Sequence, residues 1–213
     1  MIRFIKNLKA RKLNRGMTYV ELIVVSSIFA IMSSVVIYNY QGFQAKVDIK
    51  NLASDIALKI VEAQKSSSNG VLPPSTFSIT PDWKPSYGVY FEAVTPPTPL
   101  KQFIYFADLD GATLPQNGVF DGSDCTPECL DKITITRNDY ISDIVMCSDT
   151  GCISSTPSSP LSITFKRTAS GATFKDSNGT PITGDHIQIT VKSANGDAKA
   201  LIKIYPSGRV QVN

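Results

Sequence analysis

Near its start the chain carries an apolar run that is long enough to enter a membrane. Leu22 to Tyr38 is a stretch of 17 residues without a charge, whereas about 20 apolar residues span the hydrocarbon core of a bilayer. Six basic residues and no acidic residue lie within 1–16, before this run. Basic residues on that side keep the N-terminus in the cytoplasm and direct the following chain outward. The pattern predicts a single-pass anchor in the inner (cytoplasmic) membrane, with the remainder extracytoplasmic.

A helical pattern continues beyond this run. Apolar residues recur there at spacings of three and four, which is typical of one face of an amphipathic helix. They are Ile49, Leu52, Ala53, Ile56, Ala57 and Ile60. We interpret this stripe as the face that packs under the rest of the chain. Ser66 to Gly70 favours a helix end and Pro73-Pro74 excludes continuation, so we assign residues 17–68 to one helix.

From Thr76 onward the pattern changes to short runs separated by turn residues, which is typical of strands. Residues 132–136 and 187–191 alternate between apolar and polar side chains, so one face of each is expected to be buried. The predicted strands are Phe77–Thr80, Tyr87–Phe91, Phe103–Ala107, Lys132–Arg137, Ile141–Met146, Leu161–Arg167, Ala172–Lys175, His186–Lys192, Ala200–Tyr205 and Arg209–Val212. The predicted fold class is α+β, with a long N-terminal hydrophobic α-helix packed against a mostly antiparallel β-sheet head at 69–213.

The net charge of +3 hides an uneven distribution. Outside residues 1–16 the chain has 15 basic and 18 acidic residues, and from Gly70 onward it has 11 and 14, so both parts are at −3. A head with that balance lacks the basic surface that phosphate backbones require, and we expect no nucleic-acid partner. No G-x-S-x-G, P-loop or H-E-x-x-H motif occurs, and His186 is the only histidine. We therefore expect no enzyme; the rival in that class is a signal-anchored hydrolase.

Glu21 decides between the interpretations of the N-terminus. A secretory signal peptide would end in a small-x-small cleavage site after its apolar core. A plain signal anchor needs no carboxylate in its first turn. A buried core helix of a soluble protein would not follow a basic leader. A carboxylate entering a membrane costs about 2.5–3.5 kcal/mol on insertion scales. If the chain is cut between Gly16 and Met17, the new amine lies four residues before Glu21. That amine can neutralise the carboxylate in the same chain or in a neighbour.

The residues Arg15-Gly16-Met17-Thr18-Tyr19-Val20-Glu21-Leu22-Ile23-Val24-Val25 resemble the cleavage and methylation motif of type IV prepilins and type II secretion pseudopilins. The resemblance implies that 1–16 is a leader, that cleavage follows Gly16, that Met17 becomes an N-methylated terminus, and that Glu21 registers subunits. Residues 17–68 would then be a transmembrane and assembly helix, and the chain would pass from the membrane into a cell-surface or periplasmic filament. The implied partners are other pilin or pseudopilin subunits, a prepilin peptidase and methylase, and an inner-membrane assembly platform. The chain departs from the usual prepilin pattern at Met17, at Tyr19 and in lacking a proline in the second half of the helix.

Three segments of the head resemble H-type minor pseudopilins and minor pilins. They are Tyr87–Phe91, Phe103–Asp108 and Ile202–Val210. This second resemblance implies a minor subunit of a type IV pilus-like or type II secretion filament. The alternative is a minor pilin at the filament tip that binds DNA or a surface ligand; a basic stripe on the head would favour it, and the acidic balance weighs against it.

Asp108, Asp110, Asp121 and Asp124 form an acidic segment with glycines nearby. Calcium takes six to eight oxygen ligands, so a calcium site is one interpretation and an acidic turn after a strand is the other. Counted from Asp108 as the first position of an EF-hand loop, the fifth, sixth and twelfth positions are Ala112, Thr113 and Val119. These residues do not fit the EF-hand pattern, which is therefore excluded. We expect no other cofactor.

The head contains all four cysteines, Cys125, Cys129, Cys147 and Cys152. Their even number and the predicted export favour disulfides. Zinc bound by paired thiolates and free thiols are the alternatives. Four cysteines allow three pairings, and the spacing leaves open both local loops and a bridge between the two segments.

Overall fold

The structure is a computed structural model that describes residues 16–73, 84–93, 99–109, 116–122, 125, 128–148, 151–153 and 160–213. These residues form one helix, α1 (Tyr19–Asn69), and ten strands. The strands are β1 (Ser86–Phe91), β2 (Gln102–Asp108), β3 (Cys129–Thr134), β4 (Tyr140–Ser148), β5 (Gly151–Ile153), β6 (Leu161–Lys166), β7 (Ala169–Asp176), β8 (His186–Lys192), β9 (Lys199–Ile204) and β10 (Val210–Val212). The chain divides into two compact units, Met1–Gln41 and Gly42–Asn213.

The second unit contains two antiparallel sheets of five described strands each. The strand order is β3-β2-β1-β6-β7 in the first sheet and β10-β9-β8-β4-β5 in the second. In the first sheet β1 is central, and its Gly88 lies opposite Phe106 of β2 and Thr164 of β6. In the second sheet β8 is central, between β4 and β9. One helix with two antiparallel sheets confirms the predicted α+β class.

The apolar stripe of α1 belongs to the core of this unit. Ile49, Ala53, Ile56, Ile60 and Ala63 are all at most 1% exposed and form one cluster with buried residues of both sheets. Full burial of an isoleucine side chain stabilises a fold by about 1.5–3 kcal/mol. The predicted stripe is therefore buried, with Leu52 and Ala57 at its margin.

The C-terminal end of α1 is a Schellman motif at Gly70. Gly70 has φ 59° and donates to the Ser67 carbonyl, while Val71 donates to the Ser66 carbonyl, both at 3.0 Å. Glycine adopts this left-handed conformation without a Cβ penalty. The Ser67 hydroxyl also donates to the Phe165 carbonyl of β6 at 2.6 Å, which fixes this end of the helix to the first sheet.

The strand predictions agree with the structure to within a few residues, with two exceptions. The predicted strand Lys132–Arg137 is shifted, since β3 is Cys129–Thr134 and Arg137 and Asn138 both have φ 60° in the turn to β4. Two successive left-handed residues reverse the chain after the strand, as in a type I′ turn. The short strand β5 was not predicted. The predicted strand Phe77–Thr80 lies outside the described residues.

Candidate functional site

The first turn of α1 is capped by Thr18. Its carbonyl accepts from Leu22 N at 3.2 Å, and its Oγ1 accepts from Glu21 N at 3.3 Å. This is the geometry of an N-cap, with Glu21 at the third helical position. The T-x-x-E spacing is the capping-box pattern, a signal that the sequence analysis did not use. The negative Glu21 also lies at the positive end of the helix dipole.

The residues around the predicted cleavage point are open to their surroundings. Met17 is 63% exposed, and a Cβ built on Gly16 would meet no atom within 4 Å. Residues 1–15 of the predicted leader lie outside the described residues. The accessibility of the Gly16–Met17 bond is what an enzyme acting on this segment would need.

The N-terminal half of α1 presents large apolar side chains that the described residues of the first unit leave exposed. Leu22, Ile28, Phe29 and Val36 are each at least 50% exposed, and so are most of their apolar neighbours up to Tyr40. By length and composition α1 can cross a membrane, and none of its most apolar 18-residue stretch is buried. A large exposed apolar surface marks a membrane or protein contact.

The acidic segment of the head is organised around Glu128, a residue that the sequence analysis did not single out. Its two carboxylate oxygens accept from Leu109 N at 2.8 Å and Asp121 N at 3.0 Å, and the residue is 2% exposed. Its backbone carbonyl accepts from Ala107 N at 3.0 Å. Glu128 therefore joins the segments that carry Asp108 and Asp121, and no local spacing in the sequence indicates this long-range role.

The two described candidate calcium ligands accept hydrogen bonds from their own loop. Asp108 is fully buried and its Oδ2 accepts from Gly118 N at 2.8 Å. Asp121 is exposed and its Oδ2 accepts from the Asn117 amide. Asp110 and Asp124 lie outside the described residues, so the predicted calcium set is described only in these two members. Both described carboxylates therefore accept hydrogen bonds that hold this loop in place.

We expect Glu128→Ala to destabilise the head by about 3 kcal/mol, because hydrogen bonds to a charged acceptor contribute roughly 1.5–3 kcal/mol each and their loss leaves buried donors unpaired. Urea denaturation of the full chain in detergent measures this. Glu92→Ala, at an exposed glutamate after β1, is the matched control and should change stability by less than about 0.5 kcal/mol. Equal losses in both variants would contradict the structural role of Glu128.

The four cysteines form two local pairs at disulfide distance. The Cα atoms of Cys125 and Cys129 are 4.5 Å apart, and those of Cys147 and Cys152 are 3.9 Å apart. Cys147 and Cys152 lie directly opposite each other in the β4–β5 ladder. Of the pairings that the sequence left open, the structure has the two small loops and not a bridge between the segments.

His186 lies beside the second cysteine pair. It is opposite Cys147 in the β4–β8 ladder, and its ring contacts Tyr205 at 5.3 Å between centroids. Burial is the largest cause that lowers the pKa of His186, and the nearby positive charge of Lys203 lowers it further. The Cys147, Cys152 and His186 ligand atoms lie within 4.8 Å of one another. A disulfide removes both thiolates, so the oxidised pair cannot serve as a thiolate site for zinc.

In the first unit, the apolar N-terminal half of α1, Glu21 and the Gly16–Met17 segment are thus all exposed. No protein-family model matches the chain, and no curated protein or solved structure matches it.

Proposed function

We propose that the chain is a structural subunit, a minor pilin or pseudopilin, of a type IV pilus-like or type II secretion filament. It is cut after Gly16, carries Met17 as its N-methylated terminus and assembles through α1. The observation that carries the proposal is the exposed apolar half of α1 with Glu21 in its first, Thr18-capped turn. Chemistry is performed on this chain, by a prepilin peptidase and methylase, and its own task is assembly.

Two environments explain the exposed apolar side chains of α1 in succession. A bilayer covers them before assembly, since an apolar helix of this length satisfies its backbone groups internally. Neighbouring helices cover them in a filament, where α1 of each subunit takes the place of lipid. The platform in the inner membrane would move the chain from the first environment to the second.

Glu21 supports assembly more than simple anchoring. A carboxylate opposes insertion, so its position in the first turn needs a compensating charge. The amine created at Met17 by cleavage supplies that charge, and in low dielectric such a pair is much stronger than in water. Pairing with a neighbour's amine gives the subunit a fixed register along the filament.

The head supports an extracytoplasmic location through its cysteines. Disulfides persist in oxidising compartments outside the cytoplasm, and both described pairs are at disulfide distance. With α1 partly buried under two sheets, the head would form the outer surface of the filament.

Processing is the first test of the proposal. Intact-mass analysis of membrane-extracted chain should show loss of 1–16 and one added methyl group at Met17. Gly16→Leu should leave the uncut precursor, because a side chain at the cleavage point blocks access to the bond, while the free space around Gly16 leaves the fold unaffected. Gly42→Leu is the control, since Gly42 has equally free surroundings.

A mature species that still begins at Met1 would remove the prepilin interpretation. Cleavage of Gly16→Leu at the wild-type level would also contradict it, because the peptidase would then not read Gly16.

A further inference from the structure

Within the Gly42–Asn213 unit, α1 carries charges of opposite sign on the two sides of its buried stripe. At about 100° per residue, Lys46 and Lys50 lie to one side of Ile49 and Ile56. Asp48 and Asp55 lie to the other side. Each pair is displaced by roughly 100° around the helix axis from the buried stripe. Lys46, Lys50 and Asp55 are exposed. The same few turns of helix therefore have a basic flank and an acidic flank.

The basic flank opens into a groove of 420 Å³, here called the basic groove. Its charged lining is Lys46 and Lys50 of α1, with Asp197 of the β8–β9 connection and Lys199 at the start of β9. Phe43, which is 64% exposed, adds an apolar wall. Three lysines against one aspartate leave the basic groove positive.

The acidic flank opens into a groove of 300 Å³, here called the acidic groove. Its charged lining is Asp48 and Asp55 of α1 with Arg137 and Asp139 from the β3–β4 turn. Arg137 forms an ion pair with Asp48. Asp139 is 8% exposed. Burial raises the pKa of Asp139, a backbone hydrogen bond from Ala194 opposes that shift, and Asp48 adds to it. One arginine against three aspartates leaves the acidic groove negative.

We propose that the acidic groove of one copy of this chain lies against the lysines that line the basic groove of a second copy, an inference that rests on the proposed filament function. The two grooves are complementary in sign and lie at the same level of α1, so neighbouring copies can align them. Because the grooves are on opposite sides of the helix, the contact is heterologous and repeats from copy to copy instead of closing into a dimer. That is the symmetry a helical filament requires.

The opposite signs argue against a lipid surface as the occupant. Anionic headgroups attract a basic surface, which would engage the basic groove and leave the acidic groove without a partner. A second copy satisfies both. Exposed ion pairs contribute little binding energy singly, so the grooves set orientation and register while the apolar half of α1 supplies most of the attraction.

Cross-linking between two differently tagged full-length copies in membranes tests the contact. A photoreactive phenylalanine analogue in place of Phe43 keeps every charge of the basic groove. It should cross-link to the other copy, and peptide mapping should locate the product at 48–55 or 135–139. Lys50→Glu and Asp55→Lys should each lower the yield about fivefold or more, because each places like charges together. The double variant should regain at least half of the yield.

Lys65→Glu is the matched control, an exposed lysine of α1 outside both grooves, and should leave the yield unchanged. The inference is overturned if no cross-link to the other copy forms, if it maps elsewhere, if the single variants keep the full yield, or if the double variant does not recover. Intact mass of the same samples reports separately on the proposed function. A wild-type chain processed at Gly16 with unaltered cross-links in the variants overturns the groove contact alone, whereas an unprocessed chain overturns the prepilin function whatever the cross-links show.

Discussion

Glu21→Ala is expected to insert into the membrane and to be cut after Gly16, yet to enter filaments at less than about one hundredth of the wild-type level. The carboxylate opposes insertion of the lone subunit, so its removal does not harm the membrane-bound form. In a filament the same change leaves a neighbour's Met17 amine without its partner. Removing one member of a buried ion pair costs about 3–5 kcal/mol, and each 1.4 kcal/mol is a factor of ten in an equilibrium.

Glu21→Gln separates this charge pairing from the capping-box role that the T-x-x-E spacing gives the Glu21 side chain. Glutamine serves at the third position of a capping box as glutamate does, and only the charge is lost. If charge pairing governs assembly, Glu21→Gln should fail as Glu21→Ala does. Thr18→Ala is the converse variant, because it removes the Oγ1 that accepts from Glu21 N at a cost of about 1 kcal/mol and keeps the carboxylate. It should assemble close to the wild-type level.

The amount of each variant in sheared filaments, relative to its processed form in membranes, measures the effect. Wild-type incorporation of Glu21→Gln together with loss of Thr18→Ala would assign Glu21 to helix capping. Wild-type incorporation of Glu21→Ala would remove both roles.

The sequence predicted α1 well because its signals are local. Each signal lies within about one helical turn of the structure that it predicts. The signals are the 3.6-residue period of Ile49, Ala53, Ile56 and Ile60 and the glycine at position 70. Strands such as β8 (His186–Lys192) were predicted for the same reason, since alternation with period two is visible in a few residues.

What the sequence could not show depends on partners far along the chain. Glu128 bonds to backbone groups at 109 and 121, and in the sequence it is one acid among several. The β3–β4 turn places Arg137 and Asn138 in left-handed backbone, although Arg-Asn lacks the Asn-Gly signal of such turns. Strand β5 has only three residues and is placed by its pairing with β4. The cysteine pairing likewise required the fold, because the spacing allowed three solutions.

Gly88 shows how a residue of the predicted strand Tyr87–Phe91 acquires a packing role that its sequence context hides. Gly88 is in the central strand of the first sheet, between Phe106 and Thr164, both of which are buried. A Cβ at this position would lie 2.6 Å from the Ile163 carbonyl oxygen, 2.7 Å from Thr164 Cγ2 and 2.8 Å from Phe106 Cε1. Contacts under 3.0 Å require a shift, and one of the three atoms belongs to the backbone of β6.

Gly88→Ala should therefore destabilise the head by about 3 kcal/mol, the upper part of the range for overpacking a filled core, since the β6 backbone and the buried Phe106 ring must shift to admit the methyl group. Gly42→Ala is the matched control: its Cβ meets nothing within 4 Å, and alanine in a helix is favoured over glycine by about 1 kcal/mol. Urea denaturation of the full chain in detergent, followed by tryptophan fluorescence, compares the two. We expect a lower midpoint for Gly88→Ala and an unchanged or higher midpoint for Gly42→Ala. A Gly88→Ala midpoint equal to that of the wild type would mean that β1 and β6 separate at little cost, and the tight packing between these strands would then not contribute to holding the first sheet together.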